Sequence, residues 1–364
     1  MDEWPLSTFR LISLNTRMAT DEDADLPSYD HTKLSNINVC PTWGILRYSR
    51  HKRMPSSSRQ LPLEAGTAAH EAFAAVRLYQ YENFQCEGKI QRANVEKHGI
   101  RMFGDDRYSC IRNVISDGAS DRTNVINYAL EALESGEYYD DIGDRQRTIS
   151  NISESLIAFV DAYDMTRYPI WIRDKEDVDT DIGIEIAFDI VVTIVYEMDG
   201  EERTLIVRFT GKLDGLHWNH DNLIIIEEKT GSKLDDHWLA QWILSHQITG
   251  YCLASSTFTG EPCIQAIASG MRIPIGKIPA EGIRREQVHR SPIMFEKWAN
   301  WFVTSIEMEQ KWTNDILSAP MYTHSCNRYF RSCSFLPLCA ADTIEEKQEI
   351  LDEMEIEEWS PLHD

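Results

Sequence analysis

Alanine, leucine and phenylalanine recur at helical spacing between Ala65 and Tyr79, inside LPLEAGTAAHEAFAAVRLYQ at residues 61–80, which predicts an amphipathic helix. A helix carrying Cys40 is also predicted over Lys33–Tyr48. Residues 81–170 read as a mostly helical insert, with the clearest periodicity in Asn124–Leu133 and Ile149–Tyr163. The character then changes. Ile182–Tyr196 is rich in β-branched residues and alternates in part, which suits a strand, and Met198-Asp199-Gly200 is a turn signal. Thr204–Phe209 predicts a second strand. Gly211–His217 and Asn222–Glu228 predict a third and fourth around the polar turn Asn219–Asp221. A helix over Asp235–Ala254, a strand over Cys263–Arg272 and a long helix over Phe295–Leu317 complete the pattern. Helices, an antiparallel meander and then helix–strand–helix predict an α/β fold, a mixed sheet flanked by helices. Residues 1–30 read as a mobile acidic tail, with Phe9–Leu14 able to dock locally, and residues 341–364 as an acidic C-terminal tail.

Composition narrows the class. A chain of 364 residues that is 42% hydrophobic can bury a sizeable core. No apolar run approaches the ~20 residues of a membrane helix, and the acidic N-terminus lacks a signal pattern, so an intracellular protein is expected. Eight cysteines in such a protein are expected to be core thiols or metal ligands, not disulfides. The net charge of −23 argues against tight non-specific binding to a phosphate backbone. Much of it lies in Asp21–Asp25, Asp174–Asp181 and the C-terminal segment, which leaves room for a basic groove elsewhere.

Two stretches carry candidate chemistry. Asp214 stands at a predicted strand end, and IIIEEKTG places Glu227, Glu228 and Lys229 at the end of an isoleucine run. Residues i and i+2 share a strand face, so Glu227 and Lys229 point one way and Glu228 the other. Two carboxylates beside a lysine suit phosphodiester hydrolysis with Mg²⁺ or Mn²⁺, although Asp214-Gly215 alone also suits a plain turn. The second stretch is HSCNRYFRSCSFLPLC, with Cys326, Cys333 and Cys339 inside fourteen residues, a ligand signal in search of a fourth donor.

The ordered set of motifs resembles the RecB-like branch of the PD-(D/E)XK nuclease superfamily. Gly66–His70 is similar to its GxxxH helix, Asp214 to its strand aspartate, Glu227–Gly231 to its (D/E)xKTG motif and Gln247–Tyr251 to its QxxxY motif. The resemblance spans roughly residues 35–340. It implies a restriction-endonuclease-like core at 31–340 with a helical insert at 81–170 and a C-terminal iron–sulfur segment at 326–339. It also implies that His70, Asp214, Glu227 and the Glu228 carbonyl hold the metal, that Lys229 is catalytic, and that Gln247 and Tyr251 hold Lys229 and the DNA strand. Relatives carrying a cluster, such as phage, CRISPR-associated and AddB-type exonucleases, place one cysteine upstream of the first motif and three at the C-terminus. Cys40, Cys326, Cys333 and Cys339 match, which implies a [4Fe–4S] cluster, with a four-cysteine zinc site as the rival and His324 as a weaker ligand. The implied activity is an exonuclease on single-stranded DNA ends. The alternatives are a catalytically silent end-binding or processing subunit of the same fold, and an acidic interaction protein with a structural cluster.

The remaining features are expected to be peripheral. Cys252 and Cys263 read as buried core thiols. Cys86 and Cys110 have no assigned role. His217, His220, His237 and His246 read as surface or DNA-facing residues. Basic stretches at Ser49–Arg53, Arg272–Lys277 and Ile283–Arg290 are candidate phosphate contacts or solvated loops, and the aromatics of Tyr79–Phe84 and Trp238–Trp242 suit base stacking or core packing. The chain has no GxxxxGK[ST] motif, so any helicase or recombination partner would be a separate chain, and a homo-oligomer is conceivable.

Overall fold

The computed structural model describes residues 9–54, 61–81, 118–136, 138–163, 167–173, 181–275, 282–328 and 331–358. Cys86, Cys110 and much of the predicted insert lie outside the described residues. The main elements are β1 (Phe9–Met18), α1 (His31–Val39), α2 (Leu61–Gln80), α3 (Gly118–Ser135), α4 (Ile149–Ala162), β2 (Ile184–Met198), β3 (Glu201–Asn219), β4 (Asn222–Gly231), α5 (Asp236–Ile243), α6 (His246–Thr259), β5 (Cys263–Arg272), β6 (Ile283–His289), α7 (Pro292–Thr313) and α8 (Ile344–Glu353). The chain divides into two compact units. One comprises Met1–Ser58, Ala187–Gly211 and Pro292–Asp364, the other Arg59–Ile186 and Lys212–Ser291. Among the described residues no helix is long and apolar enough to cross a membrane.

In the first unit, β1 pairs antiparallel with β2, Phe9 opposite Met198 and Met18 opposite Ile190. Phe9–Met18 is thus a sheet strand and not part of a mobile tail. Its alternating residues lie on a partner rich in valine and isoleucine, and Phe9 stacks on Tyr196. The turn that links β2 to β3 has Asp199 at φ 55 and Gly200 at φ 82, the paired left-handed residues of a tight hairpin. Phe209, Trp298 and Phe302 pack together, with Trp298 and Phe302 stacked at 4.6 Å.

The predicted helix over 33–48 is interrupted. Cys40 is extended at φ −162 because Pro41 disfavours a helical residue before it, and Pro41 then starts a new turn. A second core joins Ile37, Ile45 and Leu46 to Ile316, Phe335, Leu338, Leu351 and Met354. The C-terminal segment is therefore more than a tail: α8 is capped by Thr343 and buries Leu351. The basic stretch at 49–53 is spent on this packing. Arg50 donates to the Thr313 carbonyl, Lys52 to the Leu351 carbonyl, and Arg53 pairs with Glu357.

Asp30 caps α1 by accepting from the Lys33 N–H at 2.9 Å. Burial pushes its carboxyl up to about 7, against the pull of the Lys33 backbone and charge. An unfolded aspartate titrates near 4, so folding takes up a proton between about pH 4 and 7 and stability falls as pH rises across that window, by on the order of 4 kcal/mol at most. Asp30→Asn keeps a capping oxygen but removes the titration. The gap in melting temperature between pH 5 and pH 8 should shrink in this variant; an unchanged gap would remove Asp30 as its source.

In the second unit, β3 pairs antiparallel with β4 (Gly215 opposite Ile226), β4 runs parallel to β5 (Lys229 opposite Gly270), and β5 pairs antiparallel with β6. This mixed sheet is flanked by helices. Helices α2, α3 and α4 share one core built on Ala69, Phe73, Val125, Leu133, Leu156 and Phe159. The expected helix over 235–254 is two helices. Leu244 ends the first, and the Ser245 hydroxyl caps α6, which runs to Gly260 at φ 76. Cys252 and Cys263 are buried, as their apolar settings predict.

Candidate active site

The site draws its residues from α2, the start of β2, the end of β3, β4 and α6, and every one of those residues lies within the second unit. Ile224 and Ile226 of β4 are core residues, and the strand then turns polar while still buried, with Glu227 and Glu228 each 1% exposed. Burying two successive carboxylates is costly unless each is paired. The strand alternation divides them. Glu227 Oε1 lies 2.5 Å from Lys229 Nζ, and Gln247 Nε2 donates to the same oxygen at 2.9 Å. Gln247 Nε2 also reaches the Tyr251 hydroxyl at 3.1 Å, one helical turn along α6. Glu228 points away and forms a buried ion pair with Arg77 of α2. Its backbone N–H donates to Asp214 Oδ2 at 2.8 Å and holds that carboxylate in place. Asp214 Oδ1 lies 3.4 Å from His70 Nδ1. His70 and Arg77 are two turns apart on α2, so one face of the helix supplies both.

Arg77 also explains Gly215. A Cβ there would stand 2.7 Å from Arg77 Nε and 2.9 Å from His217 Nε2. His217, expected at the surface, is fully buried beside this arginine, with Nδ1 2.9 Å from the Tyr168 carbonyl. Burial and the Arg77 charge hold its pKa down at about 3, so it stays neutral and contacts no DNA. Arg290 of the third basic stretch is buried too. It donates to the carbonyls of Trp242, Ile243 and Ser245 and so fixes the junction of α5 and α6. Arg285 lies over the Phe159 and Tyr163 rings, and Arg284 pairs with Asp236.

Glu185 is the site residue that sequence reasoning missed. His70, Glu185 and Asp214 each offer a ligand atom, and these atoms all lie within 4.8 Å of one another. Glu185 has φ 49, a left-handed conformation that costs a non-glycine residue on the order of 1 kcal/mol or more. Gly183 permits it. A Cβ at 183 would lie 2.1 Å from the Leu216 carbonyl oxygen, so only glycine lets this segment close onto β3. A single acid inside IGIEIAF, an otherwise apolar strand, was the available signal.

The electrostatics divide the carboxylates. Burial pushes Asp214 up, but the Lys229 and His70 charges outweigh it and hold the carboxyl at about 2. Burial and the neighbouring Asp214 charge push Glu227 up to about 7, with Lys229 opposing. Burial disfavours the Lys229 ammonium, yet Glu227 and Asp214 keep it charged and above its ordinary value. Burial and Glu227 keep the Tyr251 hydroxyl protonated. Glu227 Oε2 and Glu185 Oε1 are both buried with no hydrogen-bond partner. Bare carboxylate oxygens beside a histidine and an aspartate are what a hard divalent cation takes as ligands, so the donor set fits one.

The motif residues His70, Asp214, Glu227, Lys229, Gln247 and Tyr251 are thus brought together. The Glu228 side chain is turned the other way, and what is visible of its backbone is the N–H bond to Asp214. In the first unit, Cys40, Cys326, Cys333 and Cys339 line one recess with Trp43, Met321, Ser325 and Phe335. The Ser325 hydroxyl donates to the Val39 carbonyl at 2.8 Å, and the Cys333 N–H to the Cys326 carbonyl at 2.8 Å. These bonds bring the C-terminal cysteines to Cys40. Burial pushes the Cys339 thiol up to about 11, helped by charge on the other three sulfurs.

The sequence profile of the PD-(D/E)XK nuclease superfamily matches residues 31–340, and the chain belongs to that superfamily. Among curated proteins none matches. Among solved structures, the crystal structure of SSO0001 matches at 15% identity and a TM-score of 0.25, over 44% of this chain and 60% of its own. This chain therefore spans less than two thirds of that structure's length.

Proposed function

We propose that the protein is a Mg²⁺- or Mn²⁺-dependent deoxyribonuclease acting on single-stranded DNA ends. The observation that carries the reading is the pair of buried, unpartnered carboxylate oxygens on Glu185 and Glu227, set among His70, Asp214 and Lys229. His70, Glu185, Asp214 and Glu227 would hold the cation, which supplies Lewis-acid polarisation of the phosphate and acidifies water. Lys229, kept charged by Glu227 and Asp214, stabilises the negative charge that builds on the phosphate oxygens. Gln247 and Tyr251 fix the Glu227 carboxylate that orients this lysine. Two features favour single strands. The acidic surface disfavours extended duplex contacts. The indole of Trp238 packs against Gly270, the register partner of Lys229, where a splayed base would find an aromatic neighbour.

The four cysteines are read as ligands of a [4Fe–4S] cluster. All four line one recess, and three of them fall within fourteen residues of the C-terminal segment. A four-thiolate zinc site would use the same ligands, and the metal content of the purified protein separates the two.

The test is degradation of 5′- and 3′-labelled single- and double-stranded oligonucleotides with Mn²⁺, Mg²⁺ or EDTA. Metal-dependent shortening of the single strands from an end is expected. Intact substrates under every metal condition would overturn the enzyme reading in favour of a silent end-binding subunit.

A further inference from the structure

Lys212 belongs to none of the motifs, yet its ammonium lies 2.8 Å from Glu185 Oε2. It stands two positions before Asp214 on β3, so the two side chains share a strand face. Glu185 is therefore gripped on one oxygen, while the other is buried and bare. A carboxylate's terminal torsion is broad and soft, so an unpaired Glu185 would turn freely. A charge-assisted bond to one oxygen fixes the plane of the group.

We propose that Lys212 is a positioning residue: it holds Glu185 in the orientation in which its carboxylate joins His70 and Asp214 around the divalent cation. The proposal rests on the metal-dependent reading of the site. The pair is part-exposed, at 36% for Lys212 and 24% for Glu185, and such pairs add little to stability. What the contact contributes is geometry. The brace is also local, since Glu185 and Lys212 lie on neighbouring strands.

The experiment compares Mn²⁺ binding, by calorimetry and by the electron paramagnetic resonance of free Mn²⁺, in the full chain and in Lys212→Gln, Lys212→Met and Lys212→Arg. Gln and Met both remove the charge, so repulsion between ammonium and cation changes equally in each; only Gln keeps a donor for Glu185. Lys212→Met should bind Mn²⁺ about tenfold more weakly than Lys212→Gln, the scale for losing a partner that orients a metal ligand, with melting temperatures unchanged. Lys212→Arg should match the wild type. In cleavage assays the Met variant should need more Mn²⁺ for half-maximal rate and reach nearly the same rate at saturation. Equal Mn²⁺ affinity for Met and Gln overturns the positioning role and leaves the metal site standing. Wild-type affinity that survives Asp214→Asn overturns the metal site, and the Lys212 role with it.

Discussion

Lys229→Met should lower the single-turnover cleavage rate by roughly a thousandfold while leaving Mn²⁺ bound, the scale seen when one preorganised charge-stabilising donor is lost, about 4 kcal/mol of barrier. Lys229 Nζ sits 2.5 Å from a carboxylate that is itself 1% exposed, so its charge acts in a poorly screened setting. Methionine keeps most of the volume and loses the ammonium. Metal affinity should hold or rise, because removing a cation from beside Asp214 and Glu227 strengthens the field at the cation site. A variant that loses Mn²⁺ binding along with activity would show that Lys229 shapes the site and does not act on the phosphate. A variant that cleaves within tenfold of the wild type would remove Lys229 from the chemistry.

Much of this site was legible because it is local. Asp214, Glu227 and Lys229 lie on adjacent strands joined by a two-residue turn, so strand alternation alone places their faces. Gln247 and Tyr251 follow from helical spacing. Glu185 was not legible, since its position depends on Gly183 closing onto Leu216, a contact between strand segments far apart in sequence. His217 and Arg290 were misplaced for a related reason. Polar residues in a polar stretch read as surface, and here Arg77, the Tyr168 carbonyl and the end of α5 supply partners that no local pattern reveals. The strand Phe9–Met18 was obscured by its acidic surroundings, although its own residues alternate.

Changing Cys326 to serine should strip the iron and lower the melting temperature of the first unit by on the order of 10 °C. The first unit is assembled from three separate stretches of chain, and its second core joins residues 37–46 to residues 316–354. The recess lined by Cys40, Cys326, Cys333 and Cys339 joins the first and last of those stretches, so a ligand group held there would tie the two together. Closing a loop from 40 to 326 would remove on the order of 5 kcal/mol of unfolded-state freedom, and the bonds of a cluster held there would couple folding to its assembly. Serine is nearly isosteric and makes a poor ligand, so packing around the recess survives while ligation fails. The second unit holds none of these cysteines, so cleavage measured well below the new melting temperature should persist. The decisive reading is the metal. Protein purified without oxygen should be brown, with broad visible absorbance and about four irons, the cluster's complement, and the Ser variant should be colourless. Colourless wild-type protein carrying one zinc would keep the staple and discard the cluster, because four thiolates suit either metal group.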